Sequence, residues 1–201
     1  MLKNSVKNLL LFVLVVAFCV GGCGGPVYVN LRKSPSAEII ANVNSEQSKK
    51  ASYTFESKLP EAYSPFNTRL FVNLNDYYAS NLKHYMNNKF SVVDDAEDIK
   101  IEVVLESSSS ESRYDGEKKL ARASYSDGTT GRAYIEKVTI STEITVKVKI
   151  SEGGRVNEKK IVSEGEYSGD LANSVEIAAE SFNSVIEKSI LQVDKFLDSM
   201  L

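Results

Sequence analysis

The sequence is poor in the side chains that most often build covalent cross-links, metal sites and catalytic centres. Its 201 residues include two cysteines, one histidine and no tryptophan. Cys19 and Cys23 both lie in an apolar N-terminal region, so the remaining chain can form neither a disulfide framework nor a cysteine-based metal site. His84 is the only imidazole, which excludes a metal cluster of several histidines. Its place on a predicted helix, between the buried and the exposed face, favours a surface or boundary role over a Ser–His–Asp triad. We therefore predict no catalytic residue, no metal site and no enzyme.

A strong charge of either sign is also absent. The formal net charge is −3 at pH 7, and loss of residues 1–22, which contain Lys3 and Lys7 and no acid, takes it to −5. A mildly acidic body has no overall electrostatic attraction to nucleic acid or to an anionic bilayer. We predict no nucleic-acid partner, and attachment to a membrane requires something other than charge.

The N-terminus has the layout of a cleaved export signal. Lys3 and Lys7 precede an almost continuous apolar stretch from Leu9 to Val20, as in signal peptides. This stretch is shorter than the roughly 20 apolar residues that a membrane-spanning helix needs. We predict that residues 1–22 are a signal peptide and that residues 23–201 form one mature domain.

The end of this signal, Val20-Gly21-Gly22-Cys23, resembles the lipobox of bacterial lipoproteins. The resemblance implies cleavage between Gly22 and Cys23, diacylglycerol on the Cys23 thiol and acylation of the new amine, with no other cofactor. Two or more acyl chains hold a protein firmly on a bilayer, whereas one chain does so only marginally. The alternative is an ordinary secretory signal in which Cys23 is incidental. An aspartate directly after the lipidated cysteine would resemble an inner-membrane retention signal. Here Gly24 follows Cys23, and this favours the outer membrane.

The first half of the mature chain predicts short strands and then a helix. Val27–Leu31 and Ser52–Glu56 have strand character, while the polar stretch 34–50 fits either a loop or a short strand. Between Pro65 and Phe90 the apolar residues recur at steps of three and four, which predicts a helix starting near Ser64-Pro65. Its predicted buried stripe contains Leu70, Leu74, Tyr77, Tyr78, Leu82 and Tyr85.

The second half predicts a meander of strands and a long helix. Residues 99–105 alternate between apolar and polar, and Val138–Ile150 does so without a break, which is typical of an antiparallel sheet covered on one face. Gly153-Gly154 supplies a turn before a returning strand at 158–167. Asn173 and Glu176 have the spacing of a capping box before a C-terminal helix. That helix has a predicted buried stripe of Val175, Ala178, Ala179, Phe182, Val185, Ile186, Ile190, Val193, Phe196 and Leu197.

Grouped strands with few helices indicate an α+β fold. We predict a mostly antiparallel sheet of about four or five strands with two long helices packed on one face. The segment 106–133 is long and rich in serine and charge, with five bases and five acids, and it is either a protruding hairpin or a loop. Our hypothesis is that it contacts a partner protein or an anionic lipid headgroup through Lys118, Lys119, Arg122, Tyr114 and Tyr125. The alternative is a mobile, solvated hairpin.

This order of a lipidated cysteine, strands, a helix, long antiparallel strands and a C-terminal helix resembles the small outer-membrane lipoproteins typified by YajG. It is similar also to the lipopolysaccharide-assembly lipoprotein LptE and to auxiliary lipoproteins of ABC-type lipid transport systems. The resemblance is one of layout and implies a non-catalytic accessory or assembly protein that docks to another envelope component. The alternative function is periplasmic lipid binding or lipid transport. We expect a lipid-anchored protein of the outer membrane that faces the periplasm, with exposure at the cell surface as the alternative.

Overall fold

The computed structural model describes residues 26–42, 46–61, 64, 70–94, 96, 98–124 and 130–201. The predicted lipidation and cleavage residues, Cys23 and Gly22, lie outside these ranges, as does Tyr125. The described elements follow in the order β1 (Val27–Val29), α1 (Ala37–Asn42), β2 (Glu46–Ser57), β3 (Leu70–Val72), α2 (Leu74–Lys89), β4 (Phe90–Val92), β5 (Ile99–Ser124), β6 (Thr130–Glu152), β7 (Arg155–Asp170) and, after a 3₁₀ turn at Leu171–Asn173, α3 (Ser174–Asp198).

The main sheet has five strands in the spatial order β4-β2-β5-β6-β7. β5, β6 and β7 form an antiparallel meander, whereas β2 pairs in parallel with both β4 and β5. β1 and β3 form a separate two-stranded parallel pair. The predicted α+β class with a mostly antiparallel sheet is therefore confirmed.

The strict alternation of the sequence produces β6. Its even-numbered apolar side chains are buried on the face that carries the helices, and they are Val138, Ile140, Ile144, Val146, Val148 and Ile150. Gly153 and Gly154 have φ angles of 54° and 81°, the left-handed conformation that a tight hairpin turn needs at both central positions. The predicted turn into β7 is confirmed.

Two long helices cover one face of the sheet, as predicted. α2 packs over β2 and β4, and α3 packs over β6 and β7. The Phe55 ring of β2 stacks on Tyr78 of α2 with 5.7 Å between ring centroids. Phe182 and Ile186 of α3 are fully buried in the same core. The helices thus bury a single apolar layer against the sheet, which is the main source of stability in such a fold.

The predicted start of the first helix is wrong. Helix α2 begins at Leu74 rather than near Pro65, and Leu70 lies in β3, where it pairs with Val27 of β1. Asn73 caps the helix, because its side-chain oxygen accepts a 3.5 Å hydrogen bond from the Asp76 backbone N–H. The helical spacing of apolar residues extends back to Leu70 in the sequence. The pairing of β3 with β1 nevertheless makes Leu70 part of a strand.

Two predicted details of the C-terminal helix are wrong as well. Asn173 precedes α3 but makes no side-chain capping bond, so the capping box with Glu176 does not form. Val175 is 39% exposed instead of belonging to the buried stripe. The rest of the stripe is confirmed from Ala178 to Leu197, with Ala179 only partly buried, because that part of the helix lies directly on the sheet.

The segment 106–133 is largely built of strand. β5 continues to Ser124 and pairs with β6 as far as its first residue, Thr130. The last pair between β6 and β7 joins Lys137 to Asp170, so residues 130–136 and their partners extend beyond the sheet. At about 3.4 Å per residue this extension is about 24 Å long. We call residues 115–124 and 130–136 the hairpin arm.

Candidate functional site

The N-terminal segment 27–36 is fastened across both long helices. The Arg32 backbone N–H donates to the Asn183 side-chain oxygen of α3 at 2.9 Å. The Arg32 carbonyl oxygen accepts from the side-chain amide of Asn81 in α2 at 2.8 Å. Val29 is buried in the core. The start of the folded body is therefore fixed in position by side chains that come from sequence-distant helices.

Ion pairs reinforce this attachment. The Arg32 guanidinium contacts the carboxylate of Glu180 at 2.6 Å and that of Glu187 at 3.3 Å, both on α3. The Arg32 side chain is 48% exposed, so water screens the charges and the pairs contribute modestly to stability. Their main effect is to fix the direction in which the chain enters the fold.

A groove with both apolar and polar lining residues lies beside this entry point. It is lined by Tyr28 and Leu31 of the N-terminal segment and by Val175 and Ala179 near the beginning of α3. Tyr28 also packs on Phe71 with ring centroids 5.9 Å apart. Because α3 begins directly after β7 ends, the groove lies at the end of the molecule from which the hairpin arm extends.

The predicted contact residues map to the arm and its base. Tyr114 pairs with Val138 and is 61% exposed. In the register of β5 and β6, the three predicted basic residues lie opposite residues of the returning strand, in the pairs Lys118–Glu136, Lys119–Ile135 and Arg122–Arg132. The backbone therefore places these bases within one projecting element. Tyr125 lies outside the described residues.

The sheet face opposite the helices carries charge pairs. Lys149 contacts Glu102 at 2.8 Å, and Lys147 contacts Glu158 at 2.9 Å. A hydrogen bond from Lys58 to Glu106, at 3.2 Å, is the main reason why the pKa of the Glu106 carboxyl lies below its ordinary value. The bond to Glu158 likewise raises the pKa of Lys147. Because these pairs are partly exposed, each contributes little to stability.

Part of this open face is acidic rather than balanced. A shallow groove is lined there by four carboxylates, those of Glu111, Glu143, Glu164 and Glu166. Glu143 and Glu164 are direct cross-strand partners, an arrangement that destabilises a sheet slightly because like charges face each other. Within the described residues no cluster of three or more metal-ligating side chains occurs.

β7 forms an edge of the main sheet, so one side of its backbone has no strand neighbour among the described residues. Three apolar side chains on this strand are strongly exposed: Val156 at 59%, Val162 at 47% and Tyr167 at 45%. The ammonium of Lys188 covers part of the strand by donating to the Glu164 carbonyl oxygen at 2.9 Å. A long, partly apolar edge of this kind is suited to pairing with an added strand.

Sequence analysis missed a buried polar network between the two long helices. Lys89 of α2, with no exposed side-chain surface, donates to Asp194 of α3 at 2.7 Å and also bonds Asp198. Asp194 accepts a second bond from the Tyr85 hydroxyl at 2.9 Å. Lys89 and Asp194 follow Tyr85 and Ile190 by four residues, so both continue apolar stripes. A charged residue at such a position is the signal that would have revealed the network.

A second buried phenol joins the same helices. The hydroxyls of Tyr78 and Ser189 lie 2.9 Å apart. Burial raises the pKa of Tyr78, and burial followed by the nearby charge of Asp194 raises the pKa of Tyr85. Both phenols therefore stay protonated in the folded protein under ordinary conditions, and both serve to hold α2 and α3 in register.

The raised pKa of Tyr78 predicts a loss of stability in alkali. An ordinary phenol titrates near pH 10, and the folded value is higher, so stability is complete below pH 10 and falls as the pH rises above it. The fall attributable to this one group approaches about 1.4 kcal/mol per pH unit. Urea unfolding between pH 8 and pH 11 should show that Tyr78→Phe loses less stability over this range than the wild type.

Tyr114→Phe serves as the matched control for that comparison, because Tyr114 is exposed. Its stability should follow that of the wild type at every pH. Parallel curves for the wild type and Tyr78→Phe up to pH 11 would contradict the assignment of Tyr78 as a buried, protonated phenol.

Large apolar side chains occupy the space between helices and sheet, where the alternative function would place an acyl chain. Leu82, Phe182 and Ile190 show no exposed surface, and Ile101 shows 1%.

His84 lies exposed on α2, at the surface as the helical period predicts. Among the described helices, none is both long and apolar enough to cross a bilayer.

Comparisons with known proteins give no family. No family model matches the chain, and no curated protein matches it. A solved chain described as "Crystal structure of uncharacterized protein" is similar to it with a TM-score of 0.42 and 8% sequence identity. The match covers 86% of this chain and 99% of the solved one.

Proposed function

We propose that this chain is a non-catalytic, lipid-anchored accessory or assembly lipoprotein of the bacterial outer membrane. In this proposal it is related to the YajG-like and LptE-like group, and it docks to another envelope protein from the periplasmic side. The observation that carries the proposal is the position of the first strand. β1 begins at Val27, four residues after Cys23, and its continuation is bonded to both long helices. Acyl chains on Cys23 would therefore hold the folded body itself close to the bilayer.

The edge strand β7 supports the docking part of the proposal. Its exposed valines and the unpaired side of its backbone offer main-chain hydrogen bonds and apolar contacts to an extended segment of a partner. Lys159 and Lys160 on the same strand discourage indiscriminate pairing with other edges, a protection that natural sheets commonly use. We expect a partner with a free strand rather than a self-assembling sheet.

The location of the strongly perturbed groups supports a role other than catalysis. Tyr78 and Tyr85, whose pKa values are raised, are hydrogen-bonded inside the helix–helix interface rather than aimed into an open groove. A catalytic acid or base instead needs access to a substrate proton. These phenols are accounted for by packing and by their partners Ser189 and Asp194.

A crosslinking experiment in cells tests anchor and docking together. A photoreactive amino acid replaces Val162 on β7, and in a matched control it replaces Lys100, which is also exposed but lies on β5 and pairs with Ser52 of β2 on one side and Ser151 of β6 on the other. Each variant is made in the natural chain and in a Cys23→Ala chain exported by an ordinary secretory signal. Palmitate incorporation and fractionation are measured on the same samples.

We expect palmitate in the natural chain only, and a discrete crosslinked product from position 162 only. The Cys23→Ala chain should stay in the aqueous fraction and lose most of the crosslinking, because it no longer concentrates at the membrane. Palmitate in the Cys23→Ala chain would contradict the anchor. Equal crosslinking from positions 162 and 100 would contradict docking at β7.

A further inference from the structure

The tether between the proposed lipid and the folded body is very short. Only Gly24, Gly25 and Pro26 separate Cys23 from Val27. A fully extended chain spans at most about 3.6 Å per residue, so the two Cα atoms of Cys23 and Val27 can be no more than about 14 Å apart. The following strand cannot lengthen this tether, because Val29 is buried and Arg32 is bonded to both long helices.

The tether leaves the body on the side of the hairpin arm. Tyr28 lies beside Val175, near the beginning of α3, whereas Arg32 lies beside Asn183 and Glu187, further along that helix. The segment therefore runs along α3 away from the arm, so that its first strand residue, Val27, lies at its arm-side end. Three exposed apolar side chains lie at this end: Val27 at 44%, Tyr28 at 58% and Val175 at 39%.

We propose that the arm-bearing end of the body rests on the bilayer and that the hairpin arm touches the lipid surface. The arm projects about 24 Å beyond the Lys137–Asp170 pair, which is more than the reach of the tether. A bilayer held within that reach of Val27, with the arm-bearing end of the body turned towards it, therefore meets the arm. This inference rests on the proposed acylation of Cys23.

The geometry of the tether, rather than charge, brings the arm to the lipid. The segment 106–133 contains five bases and five acids, so it has little net attraction to an anionic surface. Tyr28, with an apolar ring and a polar hydroxyl, is the kind of side chain that favours the membrane–water boundary. The contact should consequently persist when salt screens electrostatic attraction.

Lipid-attached quenchers can measure this contact in the mature, acylated protein. With the Cys23 thiol acylated, an introduced cysteine is the only free thiol for a fluorescent label. Labels are placed by Ser124→Cys in the arm, by Tyr28→Cys beside the tether and by Asn157→Cys as the control. Asn157 pairs with Ile150, thirteen residues and about 44 Å along β6 from the arm-side pair. The protein is reconstituted in phosphatidylethanolamine and phosphatidylglycerol vesicles that carry headgroup nitroxides.

We expect several-fold stronger quenching at positions 124 and 28 than at 157, unchanged in about 0.5 M salt, where screening lengths are only a few ångströms. Equal quenching at all three positions in protein that floats with the vesicles would overturn the inference. Failure to float would instead contradict the lipid anchor. A flexible spacer of about 20 residues after Gly25, with a root-mean-square length of roughly 25 Å, should weaken quenching at 124. Unchanged quenching with the spacer would contradict the short tether as its cause.

Discussion

Lys89→Met is expected to lower the free energy of unfolding by about 3–5 kcal/mol, because it removes one partner of a buried ion pair. The Lys89 ammonium is completely enclosed and donates to both Asp194 and Asp198. Methionine fills a similar volume but leaves the Asp194 carboxylate buried with only the Tyr85 hydroxyl as a described donor. Equilibrium unfolding in urea, followed by circular dichroism, measures the loss.

Two further variants separate charge burial from loss of packing. Lys83→Met changes an exposed lysine of the same helix and should alter stability by less than about 0.5 kcal/mol. Combining Lys89→Met with Asp194→Asn removes the unpaired charge while keeping an acceptor for Tyr85, and it should recover a good part of the loss. A Lys89→Met protein as stable as Lys83→Met would contradict the buried network.

Gly165→Ala is expected to lower the free energy of unfolding by about 3 kcal/mol, at the upper end of overpacking effects. A Cβ at this position of β7 would lie 2.5 Å from the Ser181 carbonyl oxygen and 2.7 Å from the Val185 backbone nitrogen. Both are backbone atoms of α3, so the whole helix would have to lift from the sheet. The lift would also stretch the 3.1 Å bond from the Ser181 hydroxyl to the Gly165 carbonyl oxygen.

Gly169→Ala on the same strand is the matched control. Its Cβ would meet only side-chain atoms of Ile177, Cγ1 and Cδ1, both at 3.0 Å, and a side chain can shift more readily than the backbone of a helix. The reduced freedom of the unfolded chain offsets part of any crowding, so the change should be below about 1 kcal/mol. Thermal and urea unfolding of the two variants give the comparison. Equal stabilities for Gly165→Ala and Gly169→Ala would contradict the close approach of α3 to β7.

The two proposed contacts of the body have a defined relation to each other. β7 ends at Asp170, on the arm side, and begins at Arg155, at the opposite end of the sheet. A partner strand added to β7 would therefore run between the bilayer end and the end far from it. Acyl chains at Cys23 and lipid contact by the arm would together limit rotation of the body and present the β7 edge sideways.

Local pattern alone determined the elements that carry the core. The unbroken alternation from Val138 to Ile150 specified β6 and its buried face, and the helical stripe from Ala178 to Leu197 specified most of α3. The glycine pair at Gly153-Gly154 specified the turn between β6 and β7. These features follow from the sequence because the periods of two and 3.6 residues act between near neighbours in the chain.

Tertiary structure alone decided the rest. α2 starts at Leu74 because β3 pairs with β1, more than forty residues earlier in the chain. Lys89 is buried because its carboxylate partners come from α3, about a hundred residues later. The parallel pairing of β2 with β4 and β5 likewise joins segments that share no local signal. Contacts between distant segments depend on which surfaces meet after folding, and a local period carries no information about that.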